Sequence, residues 1–243
     1  MDREFEKQRL EQMRKLGEDE DLKRRSIEWI VQSSKNKYSY NFDWCGLPII
    51  QHPQDIVAAQ EIIWKTKPDL VIETGIARGG SLVFWASMLS LLGGKGEVLG
   101  IDVDIRAHNR KAIEESPFAE RIKMIEGSST ASDVIERVKQ LAAGHEKIMV
   151  VLDSMHSHEH VAKELELYAP LVSKGCYLIV FDTIIEFMPE DSFPNRPWSI
   201  GNNPYTAVQE FLQNDRRFVL DKQMEDKLQI TVAPGGYLKR VED

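Results

Sequence analysis

Two carboxylates and a histidine stand where apolar runs end. Asp153 closes the run 147–152, and Asp182 closes the run 176–181, 29 residues further on. If the two runs are successive strands, both carboxylates reach one edge of the sheet, where they repel unless a proton or a cation lies between them. A hard divalent ion such as Mg2+ or Mn2+ accepts two carboxylates together with water and substrate oxygens. It also lowers the pKa of a hydroxyl it binds. His156 follows Asp153 by three residues, in Leu152-Asp153-Ser154-Met155-His156. An imidazole there can take a proton from an alcohol near neutral pH. A plainer reading has Asp153 or Ser157 capping a helix over 158–171, with His156 on the surface. His158 and His160 are expected as surface or capping residues.

A second constellation is the turn Val71-Ile72-Glu73-Thr74-Gly75-Ile76-Ala77-Arg78-Gly79-Gly80-Ser81. It runs from an apolar strand into a helix. Its glycines permit positive φ and close approach of a ligand to the backbone, and the free N–H groups of the helix that follows suit an anion. Asp102 ends the next strand, 22 residues after Gly80, where an acid can hydrogen-bond the hydroxyls of a ribose. The spacing is neither Gly-x-Gly-x-x-Gly nor a phosphate-binding loop ending Gly-Lys-Ser/Thr. An adenosyl ligand carrying an amino acid therefore fits better than a dinucleotide. Glu73 and the turn would face the amino-acid moiety, and Asp102 the ribose. The bland alternative is a tight turn with Asp102 capping the segment after it.

The elements that must position these residues alternate. Strands are expected over 70–72, 97–101, 122–125, 147–152 and 176–181, with helices over 81–92, 106–115, 131–143 and 158–171. Short strands apolar throughout suit a parallel sheet covered on both faces, and the alternation implies right-handed βαβ crossovers. The expected architecture is α/β: a doubly wound, mostly parallel, Rossmann-like sheet with ligands beyond the carboxyl ends of its strands. In the tail, a helix over 205–214 is followed by apolar runs at 218–220 and 228–233, too close for a helix between them. They are expected to pair antiparallel as an edge hairpin, as in Rossmann-like methyltransferases. The proline-rich stretch 184–203 follows a strand end on the ligand edge and is expected to be a lid. Residues 1–55 read as a charged helical arm, one or two amphipathic helices broken near Gly17, and an aromatic loop. The main domain is expected over 56–243, its first helix capped by Asp55.

Composition excludes several classes. The chain has 243 residues, 42% hydrophobic and 29% charged, with a net charge of −8. Such a chain can bury a core of its own, and the negative field disfavours nucleic acid and anionic membranes. Two cysteines, Cys45 and Cys176, make no disulfide scaffold, so a reducing, cytoplasmic location is expected. The longest apolar run, 82–92, is short of the ~20 residues that span a bilayer, and the N-terminus lacks the apolar core of a signal peptide.

Several segments together carry a resemblance. They are Phe42-Asp43-Trp44-x-Gly46-x-Pro48-Ile49-Ile50-Gln51, then Lys67-Pro68-Asp69-Leu70-Val71-Ile72-Glu73-Thr74-Gly75 with Gly79-Gly80-Ser81, Gly100-Ile101-Asp102-Val103-Asp104, Glu126-Gly127-Ser128-Ser129 and Leu152-Asp153-Ser154-x-His156. Over about 41–183 the chain resembles the cephalosporin hydroxylase family of S-adenosylmethionine (SAM)-dependent enzymes, which is related to macrolide sugar O-methyltransferases. The resemblance implies a class I methyltransferase fold. It implies SAM bound by Glu73, Gly75, Arg78, Gly79, Gly80, Ser81, Asp102, Val103, Ser128, Ser129 and Asp153. It further implies Mg2+ or Mn2+ at Asp153 and at an acidic pair ending the next strand, with His156 as base and Asp153 beside it in the catalytic centre. Here that pair is Phe181-Asp182, so one acid is missing, and Glu186 from the lid is a candidate substitute. The leading expectation is an O-methyltransferase acting on a sugar or another small polar metabolite, with self-association through the aromatic 38–44 segment and the arm. The alternatives are a non-catalytic SAM-binding or scaffold protein, an accessory component of an oxygenase-linked pathway, and a nicotinamide enzyme.

Overall fold

The computed structural model describes residues 2–243. Two helices open the chain, α1 (Arg3–Glu18) and α2 (Glu20–Ser34). They part at Asp19, whose side chain accepts from Leu22 N at 2.9 Å and caps α2. The break falls two residues beyond the expected Gly17, which is buried against Asp226. A 3-10 turn over Tyr38–Asn41 leads to a two-stranded hairpin, β1 (Asp43–Trp44) and β2 (Leu47–Pro48). Next comes α3 (Pro53–Thr66).

The α/β alternation follows as expected: β3 (Leu70–Thr74), α4 (Gly80–Leu92), β4 (Glu97–Asp102), α5 (Ala107–Glu114), β5 (Ile122–Glu126), α6 (Ser132–Ala142), β6 (Ile148–Leu152), α7 (His158–Tyr168) and β7 (Tyr177–Val180). The tail adds α8 (Pro204–Asn214), β8 (Phe218–Leu220), α9 (Lys222–Lys227) and β9 (Tyr237–Arg240). One seven-stranded sheet has the order β5-β4-β3-β6-β7-β9-β8. Its first five strands are parallel, and β9 pairs antiparallel with both β7 and β8.

The strands are apolar throughout because both faces are covered. Val71, Met149, Val151, Tyr177 and Ile179 pack into the core beneath α3 and α4. Their neighbours Leu70, Ile72, Val150, Leu178 and Val180 pack into the opposite core with α6, α7 and α8. Successive side chains of a strand point to opposite faces, so one apolar run supplies two cores.

The tail departs from the reading in its second strand and in the gap before it. The edge is antiparallel, but its second strand is β9, and residues 228–233 form no strand. A helix does fit in the gap, because Asp221 caps α9 by accepting from Gln223 N and Met224 N. The segment 228–233 turns inward instead, onto Asp55. Asp55 is not the cap of α3: His52 holds that position, with Pro53 in the first turn. Asp55 lies inside that turn at 1% exposure. Its carboxylate accepts from Thr231 Oγ1, from Val232 N at 2.9 Å and from Tyr237 Oη at 2.7 Å. Three donors make this an anchor between α3 and the tail. Burial outweighs them and pushes the carboxyl up to about 6.

The segment 184–203 is irregular, with 3-10 turns at Thr183–Phe187 and Glu190–Ser192. Ile184, Ile185 and Met188 are buried, so its first part belongs to the core.

Candidate active site

α4, after β3, covers one face of the sheet, and α7, after β6, covers the other. Neighbouring strands whose crossovers diverge leave a crevice at their carboxyl ends. The two strand ends meet tightly there: Asp153 N donates to Thr74 O at 2.9 Å. A Cβ on Gly75, which has a φ of +91°, would stand 2.0 Å from Asp153 O. Only glycine fits that turn.

A cavity of about 720 Å³ opens at this crevice. Gly75, Arg78, Gly80, Ser81, Asp102, Val103, Ser128, Ser129 and Asp153 all line it. Glu73 and Gly79 do not. Glu73 is buried behind the wall, accepting from Ser81 Oγ at 2.7 Å and Trp85 Nε1 at 2.9 Å. Burial pushes its carboxyl up to about 7 against the pull of those two donors. A buried carboxyl with both oxygens engaged holds α4 on β3 and does not face a ligand, which corrects its expected role. Gly79 backs onto Ile113.

Asp102 has work to do in the protein itself. Its Oδ2 accepts from Ile76 N at 2.8 Å and Ala77 N at 3.3 Å, and its Oδ1 from Asp104 N at 3.0 Å. The carboxylate braces the glycine turn while still lining the cavity.

At the other end of the crevice, one donor atom each from Asp153, His156 and Asp182 lies within 4.8 Å of the other two. His156 Nε2 is 3.1 Å from Asp182 Oδ2. Burial, and then the carboxylates of Asp182, Glu73 and Glu164, push the Asp153 carboxyl well above the usual range. Gln51 Nε2 donates to Asp153 Oδ2 at 3.2 Å. Two carboxylates forced together beside an imidazole form a donor set that suits a divalent cation, which would relieve their repulsion. Phe181 contributes nothing to it, being 3% exposed within the apolar core. Nor does Glu186 take its place. Glu186 Oε2 accepts from Gly201 N at 2.9 Å and from Asn203 Nδ2 at 2.5 Å, so it ties the turn Thr183–Phe187 to the start of α8.

Residues 36–241 match the family model described as Rhamnosyl O-methyltransferase/CmcI. The chain belongs to this family. A rhamnosyl O-methyltransferase of Mycobacterium bovis is 33% identical over 201 residues, covering 81% of this chain and 77% of the relative. One from Mycobacterium leprae is 31% identical over 202 residues, covering 81% and 82%. A solved CmcI structure described with Mg and SAM aligns at a TM-score of 0.60 and 19% identity, over 84% of this chain and 78% of its own. An O-methyltransferase from Bacillus cereus in complex with SAH (S-adenosylhomocysteine) aligns at 0.54 and 15%, over 89% and 90%. The fold is that of the class I methyltransferases, with the antiparallel strands at one edge of the sheet. No helix among the described residues is long and apolar enough to cross a membrane.

Within this family member the remaining histidines divide. His160, expected at the surface, lines the cavity, with its Nε2 3.1 Å from both Ser129 Oγ and Ser154 Oγ. Ser154 donates on to the buried Glu164 at 2.8 Å. His158 begins α7 and joins it to α8, through Thr206 Oγ1 at 2.8 Å and Glu210 at 3.0 Å. Sequence reasoning gave no role to Gln51, His52 or Trp198, which also line the cavity. Gln51 and His52 carried a signal, two polar residues between Ile50 and a helix-opening Pro53. Trp198 carried none. It reaches the site only because the segment 184–203 folds back, placing its ring 4.8 Å from that of His156, nearly perpendicular to it.

Proposed function

We propose that the protein is a SAM-dependent O-methyltransferase acting on a hydroxyl of a sugar or of a similarly small, polar acceptor. One observation carries this reading: His156, held by Asp182 at 3.1 Å, faces the same cavity as the glycine turn. The turn and Ser81 would hold the amino-acid end of the donor at the start of α4, where free N–H groups favour a carboxylate. Asp102, Val103, Ser128 and Ser129 would surround its nucleoside. The CmcI structure with Mg and SAM, which shares the fold, supports this assignment.

His156 is the base in this reading, and Asp182, whose Oδ2 lies 3.1 Å from its Nε2, stabilises the imidazolium that forms. The acceptor hydroxyl gives its proton to the His156 ring, its oxygen bonds to the sulfonium methyl carbon, and the C–S electron pair stays with sulfur. Asp153 and Asp182 would hold a divalent cation, which supplies a lowered pKa for the acceptor hydroxyl when bound. The protein's main contribution is to align oxygen, carbon and sulfur.

The test is calorimetry with SAH, together with transfer of labelled methyl from SAM to a panel of methyl hexosides with and without Mg2+. Wild type should bind SAH, Asp102→Ala should bind it at least tenfold more weakly, and at least one hexoside should be methylated. An absence of SAH binding sinks the reading. Binding without transfer to any hydroxylated acceptor favours the non-catalytic alternative.

A further inference from the structure

Among the described residues, six other than glycine have a left-handed backbone, and four of these line the cavity that holds His156. They are Lys37, Ile50, Ala77 and Asp182, with φ of 51°, 53°, 45° and 56°. Such a conformation is costly and persists where the surrounding structure imposes it, as it does around ligand sites. Three of the four already have a place in the site. Ile50 precedes Gln51, which bonds Asp153; Ala77 belongs to the glycine turn, and Asp182 to the acid pair. Lys37, which precedes the 3-10 turn of the arm, does not.

Lys37 and Arg196 are exposed side chains on the lining of this cavity, one from the arm and the other from the segment 184–203. Other cations of the chain find carboxylates, Arg24 with Asp21 and Glu28, and Arg217 with Asp215. Among the described residues, neither Lys37 nor Arg196 forms an ion pair. Each lies over an aromatic ring of the same lining instead: Lys37 Nζ is 5.7 Å from the centroid of Tyr40, and the Arg196 guanidinium 5.1 Å from that of Trp198. A ring face steadies a cation and leaves its N–H donors free. Trp198 packs also on His156, at 4.8 Å between centroids, so the guanidinium and the base share one ring as neighbour. Tyr38, next to Lys37, lies edge-on to His52 at 5.6 Å, which places the arm beside Gln51 and so at the Asp153 end of the cavity.

The carboxylates of the lining leave these two cations without a counter-charge. Asp102 is engaged by three backbone N–H groups. Asp153 and Asp182 stand together with His156 as the donor set that suits a divalent cation. The third lining cation, Arg78, is in the glycine turn, 3.4 Å from His108 Nε2, at the donor end. In a chain of net charge −8, two unpaired cations on one cavity make a local field of the opposite sign, and a ligand of complementary charge is drawn to it.

We propose that Lys37 and Arg196 recognise an anionic group on the acceptor, a phosphate or a carboxylate, carried beside the hydroxyl that is methylated. The inference rests on the methyl-transfer reading above and adds to it a charged handle that a neutral glycoside lacks. Arg196 offers a planar fork of donors that matches two oxygens of such a group, and Lys37 a point charge. Asp153 and Asp182 repel an anion, so the handle goes to the two cations and the uncharged hydroxyl to His156.

The test uses the full chain saturated with SAH in the presence of Mg2+. It reads Kd by ligand-observed NMR for methyl hexosides, the corresponding hexose 1-phosphates and the methyl hexuronides. At low salt at least one anionic probe should bind about tenfold more tightly than its neutral counterpart, and the gap should narrow at high salt. Lys37→Gln and Arg196→Gln should each cut that preference at least threefold, with the affinities for SAH and for the neutral hexosides within twofold of wild type. Arg196→Lys should keep most of it. A preference confined to the phosphates or to the uronides supports the handle and names its anion. No anionic preference in wild type overturns the handle. So does a preference that survives in both glutamine variants, which would belong to the metal ion. Anionic preference in a wild type that methylates no acceptor supports the handle and overturns the methyl-transfer reading; methylation of neutral hexosides without that preference does the reverse.

Discussion

At the scale of single residues, the site is a set of side chains that disagree with their surroundings. Asp153 is driven toward its neutral form by burial and by Asp182, yet Gln51 gives it a hydrogen bond suited to the charged form. His156 Nε2 lies 3.1 Å from Asp182 Oδ2. Replacing His156 with Asn removes the base and leaves the glycine turn untouched. We expect kcat to fall about 10²-fold or more, with SAH affinity by calorimetry unchanged. Equal loss of both would make His156 a structural residue. Asp153, His156 and Asp182 were legible as a group because each stands at or just past the end of an apolar run. Glu73 was legible by position and wrong by role, because sequence does not reveal that Trp85, twelve residues further on in α4, returns to bond it.

At the scale of elements, the turn between β3 and α4 is held from several sides. Asp102 braces it from β4, and Pro48 of the β1–β2 hairpin presses on its last residue. A Cβ on Gly80 would stand 2.3 Å from Pro48 O, a backbone atom that cannot rotate away. Gly80→Ala should therefore cost about 1–3 kcal/mol by overpacking, seen as a lower urea midpoint, and should weaken SAH binding because Gly80 lines the cavity. A stable variant with wild-type SAH affinity would show that the hairpin simply shifts aside. The tail shows why the 228–233 strand was misplaced. Its apolar run reads equally as a strand or as a buried irregular segment. Asp55, distant in the chain, decides the matter by taking Val232 N out of any ladder.

At the scale of the whole molecule, buried carboxyls tie stability to pH. The Glu73 carboxyl rises from 4.5 to about 7, and that of Asp55 from 3.8 to about 6. In those windows the folded chain keeps protons that the unfolded chain has released. Their contribution is therefore complete below the lower value and is lost as pH rises through the upper one. For Glu73 the loss is on the order of 3 kcal/mol, at about 1.4 kcal/mol per pH unit. Glu73→Gln cannot titrate. Across pH 4.5 to 7.5 its urea midpoint should fall less than that of wild type, and parallel curves would show that the Glu73 carboxyl titrates alike in the folded and unfolded chains.

Periodicity and strand-end chemistry, both local properties, determined the alternating α/β architecture, the glycine turn and the acids at the strand ends, and the resemblance carried by the motifs gave the family. Local pattern carries that much because one apolar run must serve two cores, and because a turn's backbone geometry restricts its own residues. The tertiary structure alone decided that Glu73 and Asp55 are internal anchors and that His160 reaches the cavity. It also decided that Glu186 is tied to the start of α8, and that Gln51, His52 and Trp198 line the cavity with His156. Each of these depends on which segment comes to rest against it, whether Ser81 eight residues from Glu73 or Thr231 on the far side of the chain from Asp55, and such a partner leaves no mark on the sequence nearby.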